Sequence, residues 1–219
     1  YFHSWYRNND ITQGQFLQKA THDLDYINFI LGIKPVELCA MTSKRVFNGS
    51  EKAGIRCDEC PKAETCPENP KAILDRNDEV FGDYCCYGED CKNEDSGSVL
   101  IRYETGMHVN YTQNFYIKKK AEKRGARFLG DEGTLEFDWY RNQIKIYNHY
   151  NARIDTFQYD ESLGSHFGGD DRLVDNFYNL VAGKATQSIA TFEEGLDSAL
   201  LCIRAKQSAE QSKFMKIQE

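Results

Sequence analysis

Lys19, His22 and Tyr26 recur at steps of three and four along "QKATHDLDYINFILG", residues 18–32. A helix there sets an amine, an imidazole and a phenol along one face. Leu17, Ala20, Leu24, Ile27 and Leu31 form an apolar stripe on the opposite face. A helix held by one stripe normally gives its other face to Glu, Lys, Asp and Gln. This one carries Phe29 as well, with Asp23 and Asp25 at the flanks, so the face reads as a second surface: a cleft, or an interface with another domain or subunit. An imidazole can move a proton near neutral pH, which makes His22 a candidate general base. The competing reading is a histidine satisfied at a helix packing contact.

Cysteines supply the second constellation. Six of the eight lie between residues 57 and 91: "RCDECPKAETCP" gives C-x2-C-x5-C, and "DYCCYGEDC" follows. A C-x2-C turn points two thiolates at one ion, and a later cysteine completes a tetrahedron. Cys57, Cys60, Cys66 and Cys86 are the candidate ligands of a structural zinc ion, with Cys85 or Cys91 as a substitute fourth. Metal binding can supply folding energy to a segment of so little apolar content. Disulfides, reduced thiols and an iron–sulfur cluster are the alternatives. Cys39 and Cys202 fall in strand and helix patterns and read as core residues.

The elements that position these groups follow from periodicity. Residues 1–13 read as an irregular segment or edge strand. The helix is entered through Gly14 and stopped by Gly32, with Pro35 beyond. "PVELCAMTSKRVF" alternates as a strand with Val36, Leu38 and Ala40 on one side. Residues 48–96 form a cysteine-rich insertion holding three of the four prolines, with a short helical patch near "KAILDR". From 97 to 160, period-two runs separated by short turns read as antiparallel strands. The basic run "KKKAEKRGAR" at 118–127 reads as a loop between two of them. "GGDDRLVDNFYNLVAG" reads as a helix with Leu173, Phe177 and Leu180 inward. A last helix opens at "TFEE", where Thr191 and Glu194 have capping-box spacing. The fold class is therefore α+β: a large, mostly antiparallel open-faced sheet with helices packed on one face.

The net charge of −7 argues against a nucleic-acid or anionic-membrane surface. No stretch approaches the roughly 20 apolar residues of a membrane span. No G-x-G-x-x-G follows an N-terminal strand, so a dinucleotide fingerprint is missing.

"GQFLQKATHDLDYINFILGIKPVEL" resembles the stretch that opens the C-terminal domain of the Gfo/Idh/MocA oxidoreductases. The likeness continues in family order through "YFHSWYRN", "ARFLGDEGTLEFD", "HFGGDDRLVDNF" and "TFEEGLDSALLCIRAKQSAE". The resemblance implies a single C-terminal domain over 1–219 whose companion is an N-terminal Rossmann domain binding NAD or NADP. It puts His22 on the family's catalytic histidine and Asp25 on the aspartate that follows it. Many members carry an aspartate four residues before the histidine; here that position is Gln18, and Lys19 is expected to pair with His22 instead.

With the companion domain present, His22 would take the proton from a substrate hydroxyl while Lys19 steadies the oxygen. Trp5, Arg7, Tyr26, His166, Asp170 and Arg172 are candidate contacts to a sugar, polyol or related hydroxy compound. Asp170 could equally charge-stabilise the first turn of its helix. The chain by itself is not expected to be an active enzyme. Self-association through the open sheet face is expected, since exposed apolar sheet needs cover. Cytoplasmic placement is expected, with export the alternative if the cysteines form disulfides. Two other functions remain open: a non-catalytic binding or assembly module on the same fold, and a sugar lyase or epimerase working through transient oxidation.

Overall fold

The computed structural model describes residues 1–73, 82–159 and 165–218. In chain order the elements are α1 (Asn9–Thr12), a π-helical turn (Phe16–Ala20) running into α2 (Thr21–Leu31), β1 (Pro35–Ser43), α3 (Pro70–Ile73), β2 (Ser96–Tyr103) and β3 (His108–Asn114). Then come β4 (Gly125–Leu129), β5 (Gly133–Asp138), β6 (Gln143–Asn148), β7 (Ile154–Gln158), α4 (Gly169–Val181), α5 (Phe192–Gln211) and β8 (Met215–Lys216). Two compact units result: Tyr1–Tyr116 with Phe192–Glu219, and Ile117–Thr191.

In the first unit an antiparallel sheet runs in the order β3-β2-β1-β8. Its inner face carries Leu38 and Ala40 of β1, Val99, Ile101 and Tyr103 of β2, and Tyr111 of β3. Phe16, Ala20 and Leu24 from the first long helix and Leu201, Cys202 and Ala205 from α5 cover that face. Gly97 lets the two layers close. A Cβ there would stand 2.6 Å from Phe16 Cζ. The opposite sheet face stays open, with Met41 and Leu100 exposed. In the second unit β4-β5-β6-β7 form an antiparallel meander. The expected mostly antiparallel, open-faced sheet with helices on one face is present, its strands divided between two four-stranded sheets.

Several local expectations are corrected. Of the two readings of residues 1–13, the edge strand is not formed; the segment folds into a 3-10 turn (Trp5–Arg7) and the short α1. Val36 does not share the buried side with Leu38 and Ala40, because the register slips between Pro35 and Glu37 and leaves it in a bulge. Cys202 is a core residue, whereas Cys39 is only half-buried, its position alternating with the buried Leu38 and Ala40. Leu173 and Phe177 are exposed: α4 packs on the 3-10 turn Ser165–Gly168, too small a partner to bury its apolar stripe. The helical patch in the insertion is α3; the remainder of "KAILDR" lies outside the described residues.

Where the insertion rejoins the sheet, three consecutive polar residues are taken inside. Asn93 and Asp95 are fully buried. Asn93 donates to Tyr6 O (2.5 Å) and Thr12 Oγ1 (2.7 Å) and accepts from Asn9 Nδ2 (2.7 Å). Asp95 accepts from the backbone N–H groups of Arg45 (3.2 Å), Val46 (2.6 Å) and Phe47 (2.8 Å). Glu94 Oε1 accepts from the N–H groups of Gln15 (2.7 Å) and Phe16 (3.2 Å). Those are two of the orphan donors at the start of the helix that carries Lys19 and His22. Gly14, at φ +102°, admits the Glu94 carboxylate: a Cβ would sit 3.3 Å from both of its oxygens.

Asp95→Ala strands three backbone donors in the interior and is expected to cost about 3 kcal/mol or more; an unchanged urea midpoint would contradict this. Burial pushes the Glu94 carboxyl above its ordinary 4.5, and the N–H groups pull it only partly back. The folded chain therefore holds that proton to higher pH than the unfolded chain, so the group's contribution to stability falls as pH rises from 4.5 through the raised value. Glu94→Gln should flatten that portion of the stability profile, measured by thermal unfolding from acid to neutral pH.

Candidate functional site

The first long helix is built as a two-sided element. Ala20, Leu24 and Ile27 are buried, and Leu17 and Leu31 pack partly against the core, as the apolar stripe predicts. The π-helical turn at Phe16–Ala20 adds a residue to the loop of each backbone bond, which shifts the register of the helix just before Thr21. Lys19 lies in that turn and His22 in the first turn of α2.

His22 is exposed and makes no hydrogen bond or ion pair among the described residues. It is therefore not a histidine satisfied by packing within the described residues. Lys19 is half-buried, and its Nζ lies 4.0 Å from the centre of the Tyr1 ring and 4.3 Å from that of Tyr6. Both are within cation–π range. Tyr6 in turn stacks on Trp5 at 4.0 Å with the planes 24° apart, and Tyr1 meets Phe115 edge-on at 5.7 Å. An aromatic wall thus positions the amine one turn before the imidazole. The density of aromatics in "YFHSWYRN" was visible in the sequence; that they enclose Lys19 was not.

The carboxylates and amides around His22 hold the helix in place. Asp23 accepts from Tyr111 Oη (3.0 Å), whose own pKa burial drives well up. Asp25 accepts from Ser198 Oγ of α5 (2.8 Å), and Asn28 accepts from Tyr103 Oη (2.7 Å). Gln18 donates through Nε2 to the Thr12 carbonyl (3.2 Å). A carboxylate could only accept and would repel that oxygen, so the amide at this position ties the helix to α1.

Of the candidate substrate contacts, Trp5 is half exposed and Tyr26 partly exposed. Arg7 is buried; its Nη2 reaches Asp90 Oδ1 at 2.5 Å and its guanidinium stands over the Tyr84 ring at 5.3 Å. The structure thus engages Arg7 in holding the insertion against the first turn. His166, Asp170 and Arg172 lie in the second unit at the start of α4, all exposed, with His166 Nδ1 2.9 Å from Asp170 Oδ2.

All eight cysteines are free thiols. No three of Cys57, Cys60, Cys66 and Cys86 bring their sulfurs within 4.8 Å of one another. The bridge between Arg56 and Tyr84 sets Cys57 beside the Tyr84 carbonyl and His3, with Sγ 3.8 Å from His3 Nδ1. Burial, then the charges of Cys85, Cys66 and Cys60, push the Cys57 thiol up to about 11. Cys86 instead lies with His3 and Glu68. A ring nitrogen of His3, a carboxylate oxygen of Glu68 and Cys86 Sγ are mutually within 4.8 Å.

Among the described residues no helix is long and apolar enough to cross a membrane.

A family model described as "Oxidoreductase family, C-terminal alpha/beta domain" matches residues 1–217. The protein named "Putative oxidoreductase YteT" of Bacillus subtilis (strain 168) is 24% identical over 216 residues, covering 81% of this chain and 49% of its own length. Among solved structures, an oxidoreductase domain protein from Kribbella flavida superposes with a TM-score of 0.73 at 14% identity, over 99% of this chain and 55% of that one. A levoglucosan dehydrogenase in complex with NADH and levoglucosan gives 0.69 at 14% identity, over 99% and 54%. An NAD-binding oxidoreductase from Klebsiella pneumoniae gives 0.66 at 16% identity, over 99% and 54%. The chain spans about half the length of these relatives. The first long helix, its exposed imidazole and the sheet it covers are the opening of a known domain: the chain belongs to the Gfo/Idh/MocA oxidoreductase family and forms its C-terminal alpha/beta domain.

Proposed function

We propose that this chain is the substrate-binding part of an NAD(P)-dependent oxidoreductase acting on a sugar, polyol or related hydroxy compound. The observation that carries the reading is the exposed imidazole of His22, without a hydrogen bond or ion pair among the described residues, one turn beyond the ammonium of Lys19. Support for the substrate class comes from the solved relatives, one of which is described as a levoglucosan dehydrogenase with NADH and levoglucosan bound.

The sequence has no glycine-rich phosphate turn and the described strands pair antiparallel, so these residues do not fit a dinucleotide by themselves. A companion Rossmann domain is the proposed holder of NAD or NADP, whose nicotinamide would accept the hydride. This chain's part is to bind and orient the hydroxyl, with His22 taking its proton and Lys19 donating a hydrogen bond to the oxygen as negative charge develops. The rings of Tyr1 and Tyr6 limit the arcs open to the Lys19 amine, which reduces the ordering cost at the moment of reaction.

Trp5 and Tyr26 offer apolar faces to the C–H surface of a sugar. The roles of His166, Asp170 and Arg172 as further contacts rest on the family resemblance alone. Self-association through the open sheet face, where Met41 is 78% exposed and Leu100 42%, belongs to the same proposal. Gln18 favours a second reading, a binding module without chemistry, because it engages Thr12 O rather than standing as a carboxylate beside the imidazole.

In the full-length protein, His22→Ala should lower kcat/KM by about 10²–10⁴-fold while dinucleotide affinity stays within a factor of about two. Activity within threefold of wild type would contradict the role and favour the binding module. Lys19→Met should lower kcat by about 10²-fold; a change confined to KM would assign Lys19 to uniform binding instead. Net NAD(P)H formation during turnover is expected of a dehydrogenase, and its absence alongside product formation would point to a lyase or epimerase.

A further inference from the structure

Beside the aromatic wall, three side chains of metal-ligating type converge from three separate stretches of chain. They are His3, Glu68 in the loop before α3, and Cys86 at the end of the insertion, with one ligand atom of each within 4.8 Å of the others. Glu68 is 8% exposed and Cys86 1%. We propose that His3, Glu68 and Cys86 bind a divalent transition-metal ion of the zinc type, which pins the aromatic segment at residues 1–7 to the cysteine-rich insertion.

The ligand chemistry fits. His3 Nδ1 lies 2.7 Å from Tyr84 O, an atom that can only accept. Nδ1 therefore carries the proton, and Nε2 keeps the lone pair that an ion requires. A ligating histidine commonly has its other ring N–H fixed in this way by a backbone carbonyl. Imidazole, carboxylate and thiolate are all zinc ligands, at about 2.0–2.3 Å. In a tetrahedral shell their atoms stand roughly 3.3–3.8 Å apart, so the observed cluster needs only rotamer-scale closure. Two anionic ligands and one neutral one balance a dication, which suits a buried position. Hard cations such as Mg²⁺ or Ca²⁺ are disfavoured by the sulfur and the nitrogen.

The location gives the ion a structural consequence. The Tyr84 N–H donates to His3 O (3.2 Å) while the Tyr84 carbonyl accepts from the His3 ring, so His3 is held through both its backbone and its ring by the stretch of chain that leads to Cys86. A Cβ on Gly82 would stand 2.1 Å from His3 O, which shows how closely the two stretches of chain run. Phe2, next to His3, packs with Phe47, Cys86 and Cys91 in a small cluster of its own. Few apolar side chains hold this part together, and a metal would supply what they do not. The same segment carries Tyr1 and Tyr6, the rings against Lys19.

Full-length protein saturated with zinc and freed of excess by gel filtration is expected to retain one ion per chain by elemental emission. Cobalt(II) in its place should give the visible bands of a tetrahedral site with a sulfur charge-transfer band. His3→Ala and Glu68→Gln should weaken zinc binding more than about a hundredfold. Cys86→Ser should abolish the sulfur band, whereas Cys57→Ser and Cys60→Ser should leave stoichiometry and spectrum intact. Glu68→Gln changes no volume, so it keeps the test valid if Cys86→Ser does not fold. Metal-free folded wild type, full retention in both His3→Ala and Glu68→Gln, or loss confined to Cys57→Ser and Cys60→Ser would each overturn the assignment, the last by moving the ion to a four-cysteine site.

Discussion

Buried acceptors at the exit of the insertion hold the first unit together. The 52 residues between β1 and β2, poor in apolar content, interrupt the sheet, and such a segment cannot bury enough surface to order itself. What orders its ends is the satisfaction of backbone donors. Asp95 closes the turn after β1 through three N–H groups, and Glu94 caps the helix that bears Lys19 and His22. Asn93 joins Tyr6 to Thr12 from inside. One short run of residues thus fixes the sheet, the helix start and the aromatic segment together, and the relative placement of amine and imidazole is inherited from it.

The site is correspondingly asymmetric. Three polar side chains of α2 are tied to the rest of the unit: Asp23 to Tyr111, Asn28 to Tyr103, and the exposed Asp25 to Ser198. On the outer side Lys19 is steadied by rings, and His22 is left to solvent. Among the described residues His22 has no hydrogen-bond or ion-pair partner, which leaves its ring accessible for the proposed contact with a substrate. Gln18 adds to the support of the helix, because its amide donates to the Thr12 carbonyl, which a carboxylate could not do.

Much of this was legible before any coordinates. The stripe at Leu17, Ala20, Leu24, Ile27 and Leu31, the Gly32 stop and the alternating runs from 97 to 158 follow from periodicity and turn chemistry, which are local properties. The same helical arithmetic put His22 opposite the core stripe, but it left open whether the ring is exposed or satisfied at a packing contact. Long-range polar pairing was not legible. Nothing local to "NED" at 93–95 says that its side chains turn inward to cap elements some 50 and 80 residues away. His3 and Glu68 were missed for the same reason, since each becomes a neighbour of Cys86 only through chain crossings that spacing rules do not encode. Val36 and Phe177 failed differently. A period-two or period-3.6 pattern assumes an uninterrupted register and a partner layer; a bulge removes the first, and α4 packs on a single 3-10 turn in place of the second.

In the proposed function His22 faces the reacting hydroxyl of a substrate closed against this chain by a nucleotide-bearing companion domain. The most direct measurement is a crystal structure of the full-length protein with dinucleotide and a bound polyol or sugar. The expected geometry has the His22 ring nitrogen within about 2.6–3.2 Å of a substrate hydroxyl oxygen, with Lys19 Nζ in hydrogen-bond reach of the same oxygen. A substrate bound elsewhere, with the His22 ring in bulk solvent or packed into a subunit contact, would contradict it.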